Sequence, residues 1–157
     1  MFKKLLCCSL LLCASVAYAD RLWQSLNLKN SLVFKKGRGE QQAAMITDIN
    51  CGYCRMLEKE LDQIDNVTIY KFLTPLQGGY SQSVSIWCAA NRNSAYVRST
   101  QLQEAPKVAS CSNPISSNLA WFYKKQLVGT PALIKPNGEI KYGHATKEEI
   151  KQWLKSR

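Results

Sequence analysis

Cys51-Gly52-Tyr53-Cys54 follows the apolar run Ala43-Ala44-Met45-Ile46-Thr47-Asp48-Ile49 and opens residues 55–64, whose apolar positions have helical spacing. Strand, CxxC, helix is the order in which two close cysteines read as a redox pair. A helix N-terminus carries unpaired N–H groups and about half a positive charge, so a cysteine there is favoured as the thiolate that attacks disulfides. Cys51 takes that place. Cys54, three residues on, lies on the same helix face, close enough to close a small ring and expel a substrate held on Cys51. Cys54, Leu57, Leu61 and Ile64 are spaced three, four and three apart, with Arg55, Glu58, Lys59, Glu60 and Asp62 assigned to the other side. This pattern predicts a buried Cys54, an exposed Cys51 at the helix tip, and Glu58 on the outer face. The four residues alone also fit a structural zinc site, so the rest of the chain must decide.

Met1-Phe2-Lys3-Lys4, an apolar stretch over residues 5–16, and Ala17-Tyr18-Ala19 before Asp20 form an export signal with an A-x-A cleavage site. The expected division is a signal peptide over 1–19 and one domain over 20–157. The apolar run is shorter than the ~20 residues of a membrane span, so no stable membrane anchor is expected after cleavage. Of seven cysteines, Cys7, Cys8 and Cys13 leave with the signal. The remaining Cys51, Cys54, Cys88 and Cys111 are an even set in an exported chain, which implies an oxidising compartment and paired thiols. Three pairings are possible, and the local CxxC favours Cys51–Cys54 as the reactive pair with Cys88–Cys111 as a structural bridge. A bridge closing ~20 residues stabilises by roughly 3 kcal/mol in the chain-entropy model. The formal charge of +10 falls to +8 without Lys3 and Lys4, and basic residues do not form runs interleaved with aromatics. That is a scattered solvated face, with no nucleic-acid partner expected.

Ser31-Leu32-Val33-Phe34 and residues 44–49 read as two strands joined by the glycine-containing stretch 35–40, a β-hairpin entry. Val67-Thr68-Ile69-Tyr70-Lys71-Phe72-Leu73 alternates and is rich in β-branched and aromatic residues; reached through a helix, it should run parallel to the strand before the motif. Residues 76–112 lack strand signals and form a helical insertion, with helices near 83–90 and 93–102 and both remaining cysteines inside it. Asn113-Pro114 starts a second core helix carrying Ile115, Leu119 and Phe122. Residues 128–134 and Glu139-Ile140-Lys141-Tyr142 flank Asn137-Gly138, a strong hairpin signal, and Thr146-Lys147-Glu148-Glu149 is a capping box opening a last helix with Ile150, Trp153 and Leu154. The sum is β-β-α-β, an α insertion, then α-β-β-α.

Strand-CxxC-helix, a distal Thr130-Pro131 at the head of a strand, and a closing hairpin and helix resemble the thioredoxin fold, an α/β class, here with a helical insertion between the central strand and the later core helix. More narrowly, Thr47-Asp48-Ile49-Asn50-Cys51-Gly52-Tyr53-Cys54, Ile86-Trp87-Cys88-Ala89, Cys111 and Gly129-Thr130-Pro131-Ala132 resemble the catalytic domain of bacterial periplasmic disulfide isomerases of the DsbC/DsbG type. The resemblance covers most of residues 47–154. It implies a periplasmic thiol-disulfide oxidoreductase that reduces or isomerises disulfides in exported proteins. Cys51 and Cys54 would be catalytic, and the Gly52-Tyr53 dipeptide would set an isomerase-like poise. It also implies a cis Thr130–Pro131 bond beside the CxxC, with Thr130, Pro131, Gly52 and Tyr53 contacting substrate. No cofactor is expected beyond the Cys51–Cys54 disulfide, and no metal. Implied partners are exported disulfide-containing proteins and an inner-membrane thiol reductant of the DsbD type.

The chain departs from that family in two places. About two dozen residues separate Asp20 from the second strand, too few for the family's dimerisation domain, so a monomer is expected. The thioredoxins' buried carboxylate six residues before the first cysteine is Met45 here. Asp48 reads as a polar strand end rather than a proton carrier, and His144, the only histidine, as a surface or packing residue rather than a base. Met45 and Met56 read as core or groove filler; Trp87, Trp121 and Tyr123 read as core, and Tyr53 as exposed at the site. Three other readings compete: a monomeric dithiol oxidase, a redox-inactive chaperone or secretion adaptor, and a four-cysteine zinc module.

Overall fold

The computed structural model describes residues 22–156; the signal read over 1–19 lies outside the described residues. Five strands, β1 (Leu32–Lys35), β2 (Gln41–Thr47), β3 (Val67–Leu73), β4 (Ala132–Ile134) and β5 (Ile140–Tyr142), form one sheet in the order β1-β3-β2-β4-β5. Beyond a helical turn over residues 22–24, the α-helices among the described residues are α1 (Gly52–Leu61), α2 (Tyr80–Cys88), α3 (Arg92–Gln101), α4 (Ile115–Lys124) and α5 (Lys147–Lys155). As expected, β2 and β3 are parallel, with Met45 opposite Lys71 and Thr47 opposite Leu73, and α1 is the crossover.

The predicted β1–β2 hairpin is wrong. β1 pairs antiparallel with β3, which lies between it and β2. The stretch 36–40 does turn, Gly39 N donating to Lys36 O (3.2 Å), but it steps across the start of β3 instead of pairing β1 with β2: Lys36 N donates to Val67 O (2.9 Å), Gln41 N to Asn66 O (3.0 Å), and Arg38 N to Asn66 Oδ1 (3.2 Å). Gly37 sits at φ +56°, where a Cβ would meet Asn66 Oδ1 at 2.4 Å, so this crossing requires glycine.

Residues 43–47 of β2 are all buried, the signature of a central strand covered on both faces. Alternation separates them. Ala43 and Met45 join Leu57, Leu61 and Ile64 of the α1 segment and Ile150 and Trp153 of α5; Ala44 and Ile46 join Phe122 of α4 and the N-terminal Leu22 and Leu26. A third cluster, Leu73, Ile86, Trp87, Tyr96 and Ile115, holds the helical insertion to the sheet. Cys88 and Cys111 are bonded (S–S 2.06 Å, Cα–Cα 5.7 Å), tying the end of α2 to the irregular stretch that follows α3.

Helix α4 begins one residue later than read, at Ile115, whose N–H is held by Asn113 Oδ1 at 3.2 Å. Its inward positions are Ile115, Asn118 and Phe122 rather than Leu119, because the Asn118 amide donates to the carbonyls of Asn30 and Leu73 (3.2 Å each). The hairpin of β4 and β5 matches the reading at Asn137-Gly138. The Thr146 capping box forms on both sides: Glu149 N donates to Thr146 Oγ1 (3.3 Å) and Thr146 N to Glu149 Oε2 (2.7 Å). That second bond, then the Thr146 hydroxyl on the same oxygen (3.1 Å), holds the Glu149 carboxyl below its ordinary range.

Candidate active site

Strand β2 delivers the chain to a tight loop whose geometry is set by Asp48. Its carboxylate is buried; Oδ1 accepts from Asn50 N (2.9 Å) and Oδ2 from Gln77 N (2.7 Å), clamping the approach to the CxxC against the loop after β3. The Asp48 carbonyl accepts from Cys51 N at 3.1 Å. Both carboxylate oxygens are thus engaged in holding backbone.

Cys51 is the N-cap of α1: its Sγ accepts the otherwise orphaned N–H of Cys54 at 3.1 Å, and its carbonyl accepts from Arg55 N at 3.2 Å. On its other side the Cys51 thiol donates to the Thr130 carbonyl at 3.5 Å. These two contacts draw the sulfur inward, so Cys51 is only 2 % exposed, correcting the expectation of an exposed tip. The exposed part of the motif is its middle, Gly52 and Tyr53, with Tyr53 at 64 %. The Thr130–Pro131 bond is cis, with Pro131 buried and its carbonyl accepting from Gly143 N (3.0 Å). The Thr130 carbonyl thus lies at the Cys51 sulfur.

Both thiols are free. Burial pushes the Cys54 thiol from 9.0 up to about 12; the neighbouring Cys51 pushes the same way, while the Asp48 backbone and Thr130 hydroxyl oppose it. Cys54 thus stays protonated wherever proteins normally work.

One turn beyond Cys54 lies a group the sequence reading misplaced. Glu58 is 1 % exposed rather than on the outer face. Its Oε2 is ion-paired with Lys71 Nζ from β3, and its Oε1 accepts from Tyr96 Oη of α3 at 2.6 Å. Tyr96 Oη also lies 3.1 Å from Thr47 Oγ1, and Lys71 Nζ stands 3.8 Å over the Phe34 ring. Burial, then the Glu58 charge, pushes the Tyr96 hydroxyl well above its ordinary range and keeps it a donor. The signal was available: Glu58 is four residues from Cys54 and three from Leu61, hence on the inward face.

Of the remaining candidates, Met45 is buried against α1 as filler, whereas Met56 is 47 % exposed. Trp87 is core, Trp121 is half-buried with its indole N–H on Ser25 Oγ (3.0 Å), and Tyr123 is exposed, a correction to its core reading. His144 is half-buried, with Nε2 3.9 Å from Glu60 Oε1. Cys88 and Cys111, being bonded to each other, are not available to a four-cysteine zinc site.

A family model described as a thioredoxin-like domain matches residues 28–157. Curated relatives include the probable thiol:disulfide interchange protein DsbC of Bordetella pertussis, 31 % identical over 121 residues, covering 76 % of this chain and 43 % of that protein. The DsbC of Salmonella typhimurium is 31 % identical over 132 residues, 80 % of this chain and 55 % of that protein. The chain thus spans about half the length of the curated relatives it matches. Among solved structures, a disulfide interchange protein from Neisseria gonorrhoeae superposes with a TM-score of 0.78 at 24 % identity, covering 82 % of this chain and 96 % of that one. The catalytic domain of Proteus mirabilis ScsC gives 0.59 at 19 % identity, covering 90 % and 96 %. With its CxxC at the strand–helix junction, facing a cis-proline loop across the sheet end, the chain belongs to the thioredoxin-like domain family.

Proposed function

We propose that this chain is a periplasmic thiol-disulfide oxidoreductase that reduces or isomerises disulfides in exported proteins. The observation that carries this is a free dithiol whose leading sulfur caps α1 and lies 3.5 Å from the Thr130 carbonyl, on the backbone stretch where an extended substrate can pair. Cys51 attacks a substrate disulfide as the thiolate, forming a mixed disulfide and releasing the other substrate sulfur, which takes up a proton. Two exits follow. A substrate thiol can lose its proton and attack the mixed disulfide, forming a new substrate bond and returning Cys51 with no net electron transfer. Alternatively Cys54 loses its proton and attacks Cys51, closing the Cys51–Cys54 disulfide and releasing a reduced substrate, two electrons having passed to it.

Burial of Cys54, which disfavours its ionisation, slows the second exit and so favours the first. Substrate contact falls to Thr130, Pro131, Gly52 and Tyr53. The redox carrier is the Cys51–Cys54 pair itself. Net reduction requires a thiol donor, for which an inner-membrane reductant of the DsbD type is the expected partner, and the chain is proposed to act as a monomer. The relatives' name and the resemblance of the motifs support this reading.

The test is insulin reduction and refolding of a scrambled disulfide protein by wild type, Cys51→Ser and Cys54→Ala. Wild type should do both, Cys51→Ser neither, and Cys54→Ala should accumulate mixed disulfides. A Cys51→Ser variant as active as wild type overturns the assignment. Alkylation trapping in cells separates the oxidase alternative, which holds the pair mostly as disulfide.

A further inference from the structure

Arg55 follows the CxxC directly, and its side chain folds back toward the motif. Its Nη1 donates to the Ile49 carbonyl at 3.3 Å, and a Cβ placed on Gly52 would lie 3.9 Å from its Nη2. The guanidinium therefore lies beside the turn that carries Cys51. It borders a groove of about 280 Å³ formed with Ile49, Asn50, Gln82, Glu104 and Pro106, between the loop before the motif and the stretch after α3. The one carboxylate among those lining residues, Glu104, is occupied by Arg98, whose Nε and Nη2 reach its Oε2 at 2.6 and 2.5 Å. Among the described residues Arg55 is within ion-pair distance of no acid. Four of its five N–H groups are not used by the Ile49 carbonyl, in the planar fork that suits a carboxylate.

We propose that Arg55 is a specificity-determining residue, selecting substrate disulfides whose cysteine is flanked by an acidic side chain that enters this groove. The inference rests on the exchange reading above. A segment whose sulfur is on Cys51 brings its neighbouring side chains within reach of the guanidinium, whereas a basic neighbour there meets a like charge.

The experiment uses the full chain and two peptides with the same internal disulfide, one with Glu and one with Gln on both sides of the attacked cysteine. kcat/KM is measured for each with wild type, Arg55→Gln and Arg55→Glu, with circular dichroism reporting the fold. Both peptides meet the same sulfur, so their rate ratio is blind to any change in Cys51 nucleophilicity or in overall stability. Wild type should prefer the Glu peptide by about fivefold, a preference that weakens with added salt. Arg55→Gln should bring the ratio to about one, and Arg55→Glu should invert it. A wild-type ratio near one, or a ratio unchanged in Arg55→Gln, overturns the proposal. Wild type inert toward both peptides overturns the exchange reading itself, and this inference with it.

Discussion

Replacing Lys71 with methionine tests the buried network behind Cys54. The change keeps an unbranched side chain, shorter only by the charged end atom, and leaves Glu58, 1 % exposed, with Tyr96 Oη at 2.6 Å as its remaining donor. Removing one partner of a buried ion pair costs about 3–5 kcal/mol, because the other charge stays buried without compensation. Against a total of about 5–15 kcal/mol for a domain, that is a large share. For a domain of this size it corresponds to a fall in Tm of about 10–20 °C. Replacing both partners, Glu58→Met with Lys71→Met, removes both charges and should recover most of the loss; Tyr96 keeps Thr47 Oγ1 at 3.1 Å as its partner. Urea unfolding at pH 7 followed by tryptophan fluorescence, with the cysteine redox state fixed, gives the four corners of the cycle. A cost under about 1 kcal/mol for Lys71→Met, or a double variant as weak as the sum of the singles, refutes the claim that the pair is buried as one unit.

The raised Cys54 thiol makes the reduced protein sensitive to alkali. With 9.0 as its ordinary value and about 12 in the fold, the unfolded chain gives up this proton first, so the contribution is complete below pH 9. It is then lost by about 1.4 kcal/mol per pH unit as pH rises from 9 toward 12. Unfolding curves at pH 8–11 should show this extra slope in reduced wild type and not in Cys54→Ala; parallel profiles contradict it. Lys135, buried 3 % exposed in the turn after β4, donates to the Trp153 and Ser156 carbonyls (2.9 Å each) and to Ser156 Oγ (2.8 Å) at the end of α5. Lys135→Met should destabilise by about 2 kcal/mol and raise amide exchange first in α5, and unchanged protection there by hydrogen exchange counts against the clamp.

What could be read from residue spacing was what local chemistry decides. The capping box at Thr146, the Asn137-Gly138 turn and the β-branched and aromatic run that forms β3 each depend on residues within a few positions, and all three were legible. The Cys54 face of α1 was legible for the same reason. The order of strands was not, because the crossing at 36–40 is held by Asn66, nearly thirty residues away, and a glycine-containing connection reads alike whether it turns back or steps over a neighbour. Glu58 was misplaced because its partners, Lys71 and Tyr96, come from two other elements, and a charge is assigned outward until a buried partner is known. Cys51 was placed too far out because the carbonyl that draws it in belongs to Thr130, 79 residues away.

Insertions into small folds are commonly regarded as detachable modules, to be trimmed or exchanged between relatives at will. Here the tyrosine of α3 reaches out of the inserted helices into the floor beneath α1. A chimera that swaps this region must therefore carry Tyr96 along, or replace Glu58 and Lys71 in the recipient, if the graft is to remain folded.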